Sequence, residues 1–448
     1  MTNPQQLRSA VLDVLIKIEQ QSGYSHLVIS HAINQQDISK KDEGLFTEIV
    51  YGTMQRKITL DYFLDAFLAP KHKIKPWVKM LLRMSIYQMV YLDKVPDHAI
   101  IHEAVEIAKR KGHKGIASLV NGILRNIQRK GVPDLDGIKP LSKQLSIRTS
   151  HPEWLVERWI DMYGTDLTEA MCMANLEHKP ISIRTQPLKI TQKNLVAQLE
   201  QEGFVTHPSF FSTQAIVLEK GNILKTSVIS SGLATIQDQT SMLAGEVLNA
   251  SEGMTVLDAC SAPGGKATHI AEKMQNTGTL YAYDLHEKKT RLIDEKARTL
   301  GITIISADQA DARTLRSRHA NESFDRILVD APCSGLGVIR GKPDIKYTKQ
   351  PSDIENLSHI QLDILKELAP LLKKGGKLVY STCTVDKAEN ENVIKTFLAD
   401  HSDYKVDPDF WQDLPDQLRL SPGVTDYGLQ IFPQTFETDG FFLVRLTK

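Results

Sequence analysis

Residues 255–266 read T-V-L-D-A-C-S-A-P-G-G-K, and this stretch decides the fold of the second half of the chain. The apolar run T-V-L-D-A-C predicts a short buried strand. The two glycines that follow predict a tight turn, and K-A-T-H-I-A-E-K-M, from residue 266 onward, has the apolar spacing of a helix. A strand, a glycine turn and a helix in this order are typical of the first unit of an open parallel sheet.

The same alternation of strands and helices continues from about residue 236 to the end of the chain. A long helix near 353–373 is predicted to end at Gly375 and Gly376, before the fifth strand. Continuous apolar strands separated by helices indicate a mostly parallel sheet that is buried on both faces. After T-V-L-D-A-C, the predicted strands are T-L-Y-A-Y-D (279–284), I-T-I-I-S-A (302–307), F-D-R-I-L-V-D (324–330), K-L-V-Y-S-T (377–382) and G-F-F-L-V-R-L (440–446).

Carboxylates follow three successive predicted strands. Asp284 ends the second strand, Asp308 and Asp311 come after the third, and Asp330 ends the fourth. Because ligands of open parallel sheets bind beyond the carboxyl ends of the strands, we expect these side chains to face one site. Each acid alone is also a common helix N-cap or turn residue. Together they favour a ligand that carries hydroxyl groups, amines or positive charge.

The glycine loop matches neither of the two common phosphate-binding loops. A Walker A loop needs glycine at position 260 and serine or threonine after the lysine, whereas this chain has Cys260 and Ala267. The G-x-G-x-x-G fingerprint of dinucleotide-binding folds is also missing. A glycine turn followed by Asp284 therefore suits a nucleoside without a pyrophosphate, with the acid placed to accept from ribose hydroxyls. S-adenosylmethionine fits this description, because carboxylates would favour its sulfonium cation.

Four cysteines are widely spaced, and two of them follow predicted strands. Cys333 lies in V-D-A-P-C-S-G-L-G (329–337) and Cys383 lies in Y-S-T-C-T. No C-x-x-C pair is present, so we expect no metal site, and a structural disulfide is not expected in a cytoplasmic protein. Cys172, in the helix-like M-C-M-A-N-L, is interpreted as a small buried hydrophobe. Cys260 is interpreted as a loop residue that contacts a cofactor through its backbone.

Two thiols and an aspartate beside such a pocket match the chemistry of methyl transfer to C5 of cytosine. This carbon is a poor nucleophile until a thiolate adds at C6, after which the intermediate loses its C5 proton and expels the thiol. An acid near ring N3 and the exocyclic amine stabilises the charge that develops there. The spacing of Cys333 and Cys383 does not decide which thiol attacks.

Composition and charge set the broad class of the protein. The chain has 448 residues, a formal net charge of zero and 41% hydrophobic residues, which indicates two or three soluble domains. No stretch approaches the roughly 18 apolar residues of a membrane span, and the first residues lack the apolar region of a secretory signal. We therefore expect a cytoplasmic location and no membrane partner. Zero net charge argues against a wholly basic nucleic-acid binder but allows a local basic face.

The patterning divides the chain into three segments. Residues 1–132 read as an all-helical bundle, residues 133–235 as a small α/β module, and residues 236–448 as the sheet domain. The module contains P-I-S-I-R-T (180–185), a predicted strand. The basic run K-R-K-G-H-K (109–114) in the bundle is either a solvated helix end or a patch that contacts phosphates.

These motifs resemble those of the bacterial small-subunit ribosomal RNA cytosine-C5 methyltransferases of the Sun (Fmu, RsmB) family, which are Nop2/Sun RNA methyltransferases. Segment 1–132 resembles NusB, an RNA-binding fold, and segment 133–235 resembles the middle module of the family. The resemblance implies an α/β Rossmann-like, class I S-adenosylmethionine-dependent methyltransferase domain, preceded by a NusB-like all-α bundle and a small α/β module. The matching pieces are D-A-C-S-A-P-G-G-K, D-A-P-C-S-G-L-G, K-P-D-I-K-Y, Y-S-T-C-T and D-G-F-F-L-V-R-L.

The resemblance also implies a reaction and roles for single residues. It implies methylation of C5 of a specific cytosine in 16S ribosomal RNA, with S-adenosyl-L-methionine as cofactor. We expect the RNA to be bound either naked or in an early assembly intermediate, and by a monomer. Cys383 is implied as the nucleophile that bonds to C6, and Cys333 as the thiol that helps to resolve the covalent intermediate. Asp311 is implied near the adenine, with Asp308 as the competing residue, and Asp330 between cofactor and base. The implied cofactor-binding residues are Cys260, Ser261, Ala262, Pro263, Gly264, Gly265, Lys266, Asp284, Asp311 and Asp330.

Other functions stay open beside this one. The same chemistry could act on another RNA such as transfer RNA, or the target could be an exocyclic nitrogen. N-methylation usually relies on an Asn/Asp-Pro-Pro-aromatic motif after the fourth strand, where this chain has D-A-P-C. A non-catalytic RNA-binding assembly factor is a third possibility. The intact glycine loop, Asp330 and both cysteines argue against it.

Overall fold

The computed structural model of the chain describes residues 4–21, 28–29, 32–33, 38–69 and 73–448. The chain forms two compact units, which do not follow the order of the sequence. The first unit comprises Met1–Glu177 and Ile339–Thr348, and the second comprises His178–Val338 and Lys349–Lys448. In the sequence, Ile339–Thr348 lies between the two parts of the second unit, but its contacts place it in the first unit.

The first unit is helical throughout its described residues. The helices pack around a core of buried aliphatic and aromatic side chains that includes Leu12, Phe46 and Leu81. A further helical turn covers Ile345–Thr348. The helices are α1 (Pro4–Gln21), α2 (Glu43–Gln55), α3 (Lys57–Asp65), α4 (Pro76–Tyr91), α5 (Asp97–Lys111), α6 (Lys114–Lys130), α7 (Leu141–Thr149), α8 (Glu153–Tyr163) and α9 (Thr165–Ala174).

Helix α6 illustrates how the sequence produces this bundle. Its buried residues are Ala117, Val120, Ile123, Leu124 and Ile127, which recur at intervals of three and four and so form one apolar stripe. The helix ends where Gly131 adopts a φ of +72°, a left-handed conformation that glycine takes without steric cost. The basic residues of the helix lie outside the stripe and stay exposed.

The segment Ile339–Thr348 places a buried lysine in the first unit. The Lys346 ammonium is fully buried and donates a hydrogen bond of 2.9 Å to the backbone oxygen of Gln55 at the end of α2. The hydroxyl of Tyr347 donates to the backbone oxygens of Gln55 and Ser150, each over 3.1 Å. Burial lowers the pKa of Lys346 to about 7.

The second unit begins with a four-stranded antiparallel sheet in the order β2-β3-β1-β4. Helix α10 (Gln192–Gln201) packs on it through Leu195 and Leu199. The helix ends before Gly203, whose φ is +86°. The strands are β1 (Ile181–Thr185), β2 (Val205–Pro208), β3 (Ala215–Lys220) and β4 (Ala234–Ile236).

The rest of the second unit is a nine-stranded sheet with helices along it. Strands β9, β8, β5, β6 and β7 are parallel neighbours in that order, and β11, β12 and β13 extend the sheet antiparallel beyond β9, with β10 paired to β13. The strands are β5 (Thr255–Asp258), β6 (Thr279–Asp284), β7 (Ile305–Gln309), β8 (Phe324–Asp330), β9 (Leu372–Thr382), β10 (Lys405–Val406), β11 (Val424–Thr425), β12 (Gly428–Ile431) and β13 (Phe441–Thr447). The helices are α11 (Gln239–Val247), α12 (Gly265–Lys273), α13 (Glu287–Leu300), α14 (Pro351–Leu368) and α15 (Glu391–Asp400), with short turns at Ile223–Lys225, Ser227–Ser230, Ala312–Ser317, Ala369–Leu371, Phe410–Asp413 and Asp416–Arg419.

The predicted fold class is confirmed, with local corrections. The helix predicted near 353–373 ends at Leu368 and passes into a single 3₁₀ turn, Ala369–Leu371, which contains Pro370, a residue without an N–H for a further helical hydrogen bond. Strand β9 then begins at Leu372, so Gly375 and Gly376 lie within the strand instead of ending a helix. The third predicted strand, 302–307, is displaced to Ile305–Gln309.

The three-segment division of the sequence stays a prediction. The contacts divide the predicted middle segment, 133–235, at Glu177: its helices α7–α9 belong to the first unit and its strands to the second. None of the described helices has the length and apolar content needed to cross a membrane.

Candidate active site

The candidate site lies where the parallel strands of the large sheet end. Strand β5 ends at Asp258, β6 at Asp284 and β8 at Asp330, and Cys383 directly follows β9. Asp330 and Ser381 are opposite each other in the register of β8 and β9. Because these strands are parallel neighbours, side chains from four separate sequence motifs meet at one edge of the sheet.

The loop between β5 and α12 is a tight turn fixed by its own backbone. Ser261 N donates to Tyr283 O and Gly264 N donates to Ser261 O, each over 2.7 Å. Gly264 has a φ of +90°, and a Cβ atom there would lie 3.1 Å from the Cα atom of Ile293 in α13. Only glycine meets both conditions without strain, so the backbone of this turn can come close to a ligand.

Negative charge is concentrated around this loop. Burial, together with the charges of Asp258, Asp330, Asp284 and Asp311, raises the pKa of the Cys260 thiol well above its usual value. The sequence analysis missed Asp258, because this residue lies inside the predicted strand T-V-L-D-A-C, whereas β5 ends at Asp258 in the structure. Its side chain is fully buried, and neither carboxyl oxygen has a hydrogen-bond partner among the described residues. Burial, and after it the charge of Asp330, raises the pKa of Asp258 to about 7.

These acids fit a cationic ligand. A buried carboxyl group without partners is costly unless a ligand supplies donors or positive charge, and perturbed acids of this kind cluster at functional sites. A ligand with ammonium groups or hydroxyls would supply the close hydrogen bonds that the Asp258 carboxyl group lacks among the described residues, where the Ser261 hydroxyl and the Cys260 N–H only partly offset the effect of burial. The residues present therefore fit S-adenosylmethionine, which carries an ammonium, a sulfonium and ribose hydroxyls.

Asp330 connects the glycine loop with strand β9. Its Oδ2 accepts a hydrogen bond of 2.7 Å from the Lys266 ammonium, and its Oδ1 accepts one of 2.9 Å from the Ser381 hydroxyl. Burial lowers the pKa of Lys266, but Asp330 and Cys383 outweigh it, so that the pKa of this ammonium is raised. Lys266 also lies 5.3 Å from the ring centre of Phe441. A cation is thus held beside both Asp330 and Cys383.

The two predicted thiols are neighbours. The Sγ atoms of Cys333 and Cys383 lie 3.3 Å apart, and both residues are partly exposed free cysteines. Cys383 O accepts from Gly337 N over 2.9 Å. A Cβ atom on Gly337 would lie 2.0 Å from the backbone oxygen of Gly440, so glycine is required where these loops pack. The hydrogen bond to Cys383, burial and the charge of Glu389 raise the pKa of Cys333.

Glu389 supports the loop that carries Cys333, and the sequence analysis missed it. This fully buried carboxylate accepts from Ser334 N over 2.7 Å, from the Ser334 hydroxyl, and from Gln361 Nε2 over 3.1 Å. Ser334 Oγ also lies 2.9 Å from Thr384 Oγ1, next to Cys383. Burial raises the pKa of Glu389 despite these donors. The only signal in the sequence is an acidic residue shortly after S-T-C, which local periodicity reads as a surface residue.

The structure distinguishes Asp311 from Asp308. Asp311 caps the turn Ala312–Ser317 and forms a bidentate pair with Arg313, whose hydrogen bonds lower the pKa of Asp311. Its charge is one of those that act on Cys260, whereas Asp308 is 64% exposed at its side chain and pairs with Arg318. These differences favour Asp311, and which of the two acids lies near the adenine stays a prediction.

The remaining predicted residues lie as follows. Asp284 Oδ1 accepts from His286 N over 3.0 Å and is partly exposed at the end of β6. Cys172 belongs to α9 in the first unit and is fully buried, and burial raises its pKa to about 12. Within the described ranges, no group of three His, Cys, Asp or Glu side chains is arranged to hold a metal ion.

Comparison with known proteins gives the chain relatives along its whole length. The 16S rRNA methyltransferase RsmB/F family matches residues 245–447, the NusB family matches residues 5–129, and an RsmF/B-like ferredoxin-like domain matches residues 151–224. A probable ribosomal RNA small subunit methyltransferase B of Bacillus subtilis (strain 168) is 50% identical and covers 99% of this chain and 98% of its own.

Two solved structures share the fold. A methyltransferase homolog protein from Pyrococcus horikoshii is 27% identical with a TM-score of 0.59, over 69% of this chain and 100% of that chain. NSun6 from Pyrococcus horikoshii, determined with SFG, is 22% identical with a TM-score of 0.60, over 66% of this chain and 98% of that chain.

The mostly parallel sheet, its glycine loop and the acids at its strand ends define a Rossmann-like methyltransferase domain. The chain belongs to the ribosomal RNA small subunit methyltransferase B family. The helical first part is a NusB-like domain, and a ferredoxin-like module lies between the two.

Proposed function

We propose that the protein methylates C5 of a specific cytosine in 16S ribosomal RNA through a covalent bond between Cys383 and C6 of the base. The observation that carries this proposal is the pair of partly exposed thiols, Cys333 and Cys383, with Sγ atoms 3.3 Å apart beside Asp330 and Lys266. Methylation of an exocyclic nitrogen needs no thiol. Two adjacent thiols at the cofactor-side edge of the sheet therefore favour C5 chemistry.

The arrangement suggests a role for each of these side chains. The Lys266 cation favours the thiolate form of Cys383, because attraction between the two groups raises the pKa of Lys266. The Cys383 thiolate adds to C6, a proton taken up from solvent at N3 neutralises the negative charge that develops on the ring, and the Asp330 carboxylate accepts hydrogen bonds from this N3–H and the exocyclic amine. S-adenosyl-L-methionine, bound by the loop Cys260–Lys266 with Asp284, Asp311 and Asp330, supplies the electrophilic methyl group.

Cys333 is assigned to the release of product. The contact with Cys383 is the largest cause of its raised pKa, so Cys333 stays a protonated thiol while Cys383 is free. Once the sulfur of Cys383 is bonded to C6, that contact no longer carries charge. Cys333 then loses its proton to solvent more readily, and the resulting thiolate can remove the C5 proton, after which Cys383 is expelled as a thiolate.

The proposed partner is 16S ribosomal RNA, bound by a monomer in the cytoplasm. The NusB-like domain supports an RNA partner, and the name of the Bacillus subtilis relative supports the small-subunit RNA. Because a thiol and a methyl donor must reach opposite faces of the base, the target cytosine has to leave its stack. We therefore expect an unpaired or easily flipped cytosine.

The proposal is tested by bisulfite sequencing of ribosomal and transfer RNA from cells with and without the gene. We expect one cytosine in 16S ribosomal RNA to lose protection from deamination when the gene is deleted. Loss of protection only in transfer RNA would assign the same chemistry to another substrate. Unchanged protection at every cytosine would leave a non-catalytic role in assembly.

A further inference from the structure

An arginine of the ferredoxin-like module reaches the cofactor loop of the methyltransferase domain. Arg184 lies on β1, a central strand of the module sheet, and its side chain is fully buried. Its Nη1 donates a hydrogen bond of 2.7 Å to the backbone oxygen of Gly265, the first residue of α12. Gly265 is also the second glycine of the loop Cys260–Lys266.

The same guanidinium also fixes the first turns of α12 through side chains. Its Nη2 donates over 3.0 Å to the hydroxyl of Thr268, and that hydroxyl donates over 2.8 Å to the backbone oxygen of Gly264. Nε and Nη2 donate to the two carboxyl oxygens of Glu272, each over 2.8 Å, and Nη1 donates to Gln237. All five N–H groups of the guanidinium are therefore used.

This arrangement is more specific than a stabilising ion pair. A planar guanidinium holds several acceptors at fixed angles, whereas an isolated buried ion pair contributes little net stability. Here the acceptors include the backbone of one loop glycine directly and of the other through Thr268. The side chains that approach the loop from the module are thus placed to determine its conformation.

We infer that Arg184 is a positioning residue for the cofactor loop, so that the ferredoxin-like module sets the affinity for S-adenosylmethionine. The inference rests on the proposed use of this cofactor. According to this inference, the ferredoxin-like module contributes to cofactor binding, although in the sequence it lies before the methyltransferase domain. The chain offers two further variants that separate this positioning role from a general loss of stability.

The first of these variants, Arg184→Met/Glu272→Gln, removes the negative charge of Glu272 together with the arginine that pairs with it. Arg184→Met leaves the buried carboxylate of Glu272 without its arginine partner and with the hydrogen bond from Gln214 Nε2, whereas the double variant Arg184→Met/Glu272→Gln replaces the carboxylate with a neutral amide. The double variant should regain stability in denaturant titrations without regaining the bond to Gly265 O. If Arg184→Met yields no folded protein, the double variant and Arg184→Lys still test the inference.

The matched control is Arg445→Met in the same unit. Arg445 on β13 is also fully buried and donates to Asp407 over 2.6 Å, to Asp413 over 2.7 Å and to Val247 O over 2.8 Å. None of these partners belongs to the cofactor loop. Its removal should reduce stability as the loss of Arg184 does, while leaving the loop unchanged.

The measurement is the dissociation constant of S-adenosylhomocysteine for each full-length variant by calorimetry. We expect Arg184→Met and the double variant to bind about tenfold or more weakly, the loss associated with one charge-assisted hydrogen bond, and Arg184→Lys to be intermediate. Arg445→Met should bind like the unmodified protein. In turnover assays the KM for S-adenosylmethionine should rise while the KM for RNA does not.

Either of two results would overturn this inference and leave the proposed function standing, provided that the unmodified protein binds S-adenosylhomocysteine normally. The first is an unchanged affinity of the double variant for S-adenosylhomocysteine, and the second is a loss of affinity in Arg445→Met equal to that in Arg184→Met. No binding of S-adenosylhomocysteine by the unmodified protein would overturn the proposed function and this inference with it.

Discussion

At the scale of single residues, the two thiols behave as a pair whose members are inequivalent. Cys383 has the Lys266 cation nearby, whereas the Cys333 thiol faces Cys383 and the charge of Glu389, both of which raise its pKa. A cation favours a thiolate and negative charge disfavours one. These charges support the proposal that Cys383 is the attacking thiol, which stays a prediction.

Replacing Cys383 by alanine tests the nucleophile. Because no thiolate is left to add at C6, we expect Cys383→Ala to reduce methyl transfer to RNA by at least about a thousandfold, while S-adenosylhomocysteine still binds. Transfer of radiolabelled methyl groups and calorimetry measure the two quantities. Cys172→Ala is the matched control, since this thiol is buried in α9. Normal turnover by Cys383→Ala would remove the assignment.

Replacing Cys333 by alanine tests the release step. Cys383 is intact in this variant, so the bond to C6 can still form, but the thiol next to it can no longer take the C5 proton. We expect an RNA–protein adduct that survives denaturing electrophoresis. The double variant Cys333→Ala/Cys383→Ala should form none. Absence of any adduct in Cys333→Ala would contradict the proposed role.

Lys346 predicts a pH dependence of stability. Its pKa is lowered to about 7 by burial, and the groups around it are Arg56, His151 and Cys172. Since the unfolded chain has the ordinary lysine pKa near 10.4, it binds more protons than the folded chain above pH 7, so the free energy of unfolding rises with pH. Above about pH 8.5 the raised pKa of Cys172 opposes this rise, because the unfolded thiol ionises first.

The window from pH 7 to pH 8.5 therefore isolates the lysine. We expect the free energy of unfolding to increase there by on the order of 1 to 2 kcal/mol more in the unmodified protein than in Lys346→Met. Denaturant titrations at the two pH values measure this difference. Lys342→Met, an exposed lysine of the same segment, should keep the slope of the unmodified protein. An equal slope in Lys346→Met would show that this lysine is charged in the folded protein.

At the scale of elements, the basic residues at the end of α5 and the start of α6 fall into two groups, those that form an ion pair and those that do not. Lys109 and Lys111 are paired with Glu106 and Asp13, at 2.5 and 2.8 Å. Arg110 and Lys114 are exposed and form no ion pair with any residue in the described part of the chain. If the run K-R-K-G-H-K contacts phosphates, we expect Arg110 and Lys114 to contribute most, because a lysine in an ion pair must first leave its acid.

Neutralising these cations tests the patch. We expect Arg110→Gln/Lys114→Gln to weaken binding of a 16S ribosomal RNA fragment and to reduce the slope of log affinity against log salt by about 1.5, as two lost phosphate contacts require. Lys109→Gln/Lys111→Gln is the control with the same change of charge, and its slope should fall by less. Equal slopes for both double variants and the unmodified protein would make the patch a solvated helix end.

At the scale of the whole molecule, the residues of the proposed cofactor site all belong to the second unit. The loop Cys260–Lys266, the acids, the thiols of Cys333 and Cys383, and Arg184 fall within His178–Val338 and Lys349–Lys448. The segment Ile339–Thr348 leaves this unit soon after Cys333 and joins the first. A ligand that binds at this site should therefore stabilise the second unit and leave the first unit unchanged.

Hydrogen exchange tests this division. Saturation with S-adenosylhomocysteine at a hundred times its dissociation constant should slow exchange around residues 259–268 and 284–286 by up to about a hundredfold, because openings that release the ligand become rarer. Exchange in α1–α6 should not change. Asp284→Ala should reduce the protection at the same ligand concentration. Protection confined to the first unit would place the ligand elsewhere.

The sequence by itself determined the fold class, the order of the strands that carry chemistry, and the acids and thiols at their ends. It could do so because strand and helix periods are local and because one rule places the ends of parallel strands at the same edge. The short strands β10–β12 and the true end of α14 were not predicted, since pairing partners and Pro370 outweigh the apolar pattern there.

Only the tertiary structure decided which of these side chains act on each other. It brought Cys333 within 3.3 Å of Cys383, placed Glu389 in contact with Ser334, buried Asp258 without a close hydrogen-bond partner among the described residues and joined Arg184 to Gly265. The partners in these contacts are tens of positions apart in the sequence, for example 81 positions for Arg184 and Gly265. Their distances, burial and charges depend on how distant segments pack, which no local pattern of residues encodes.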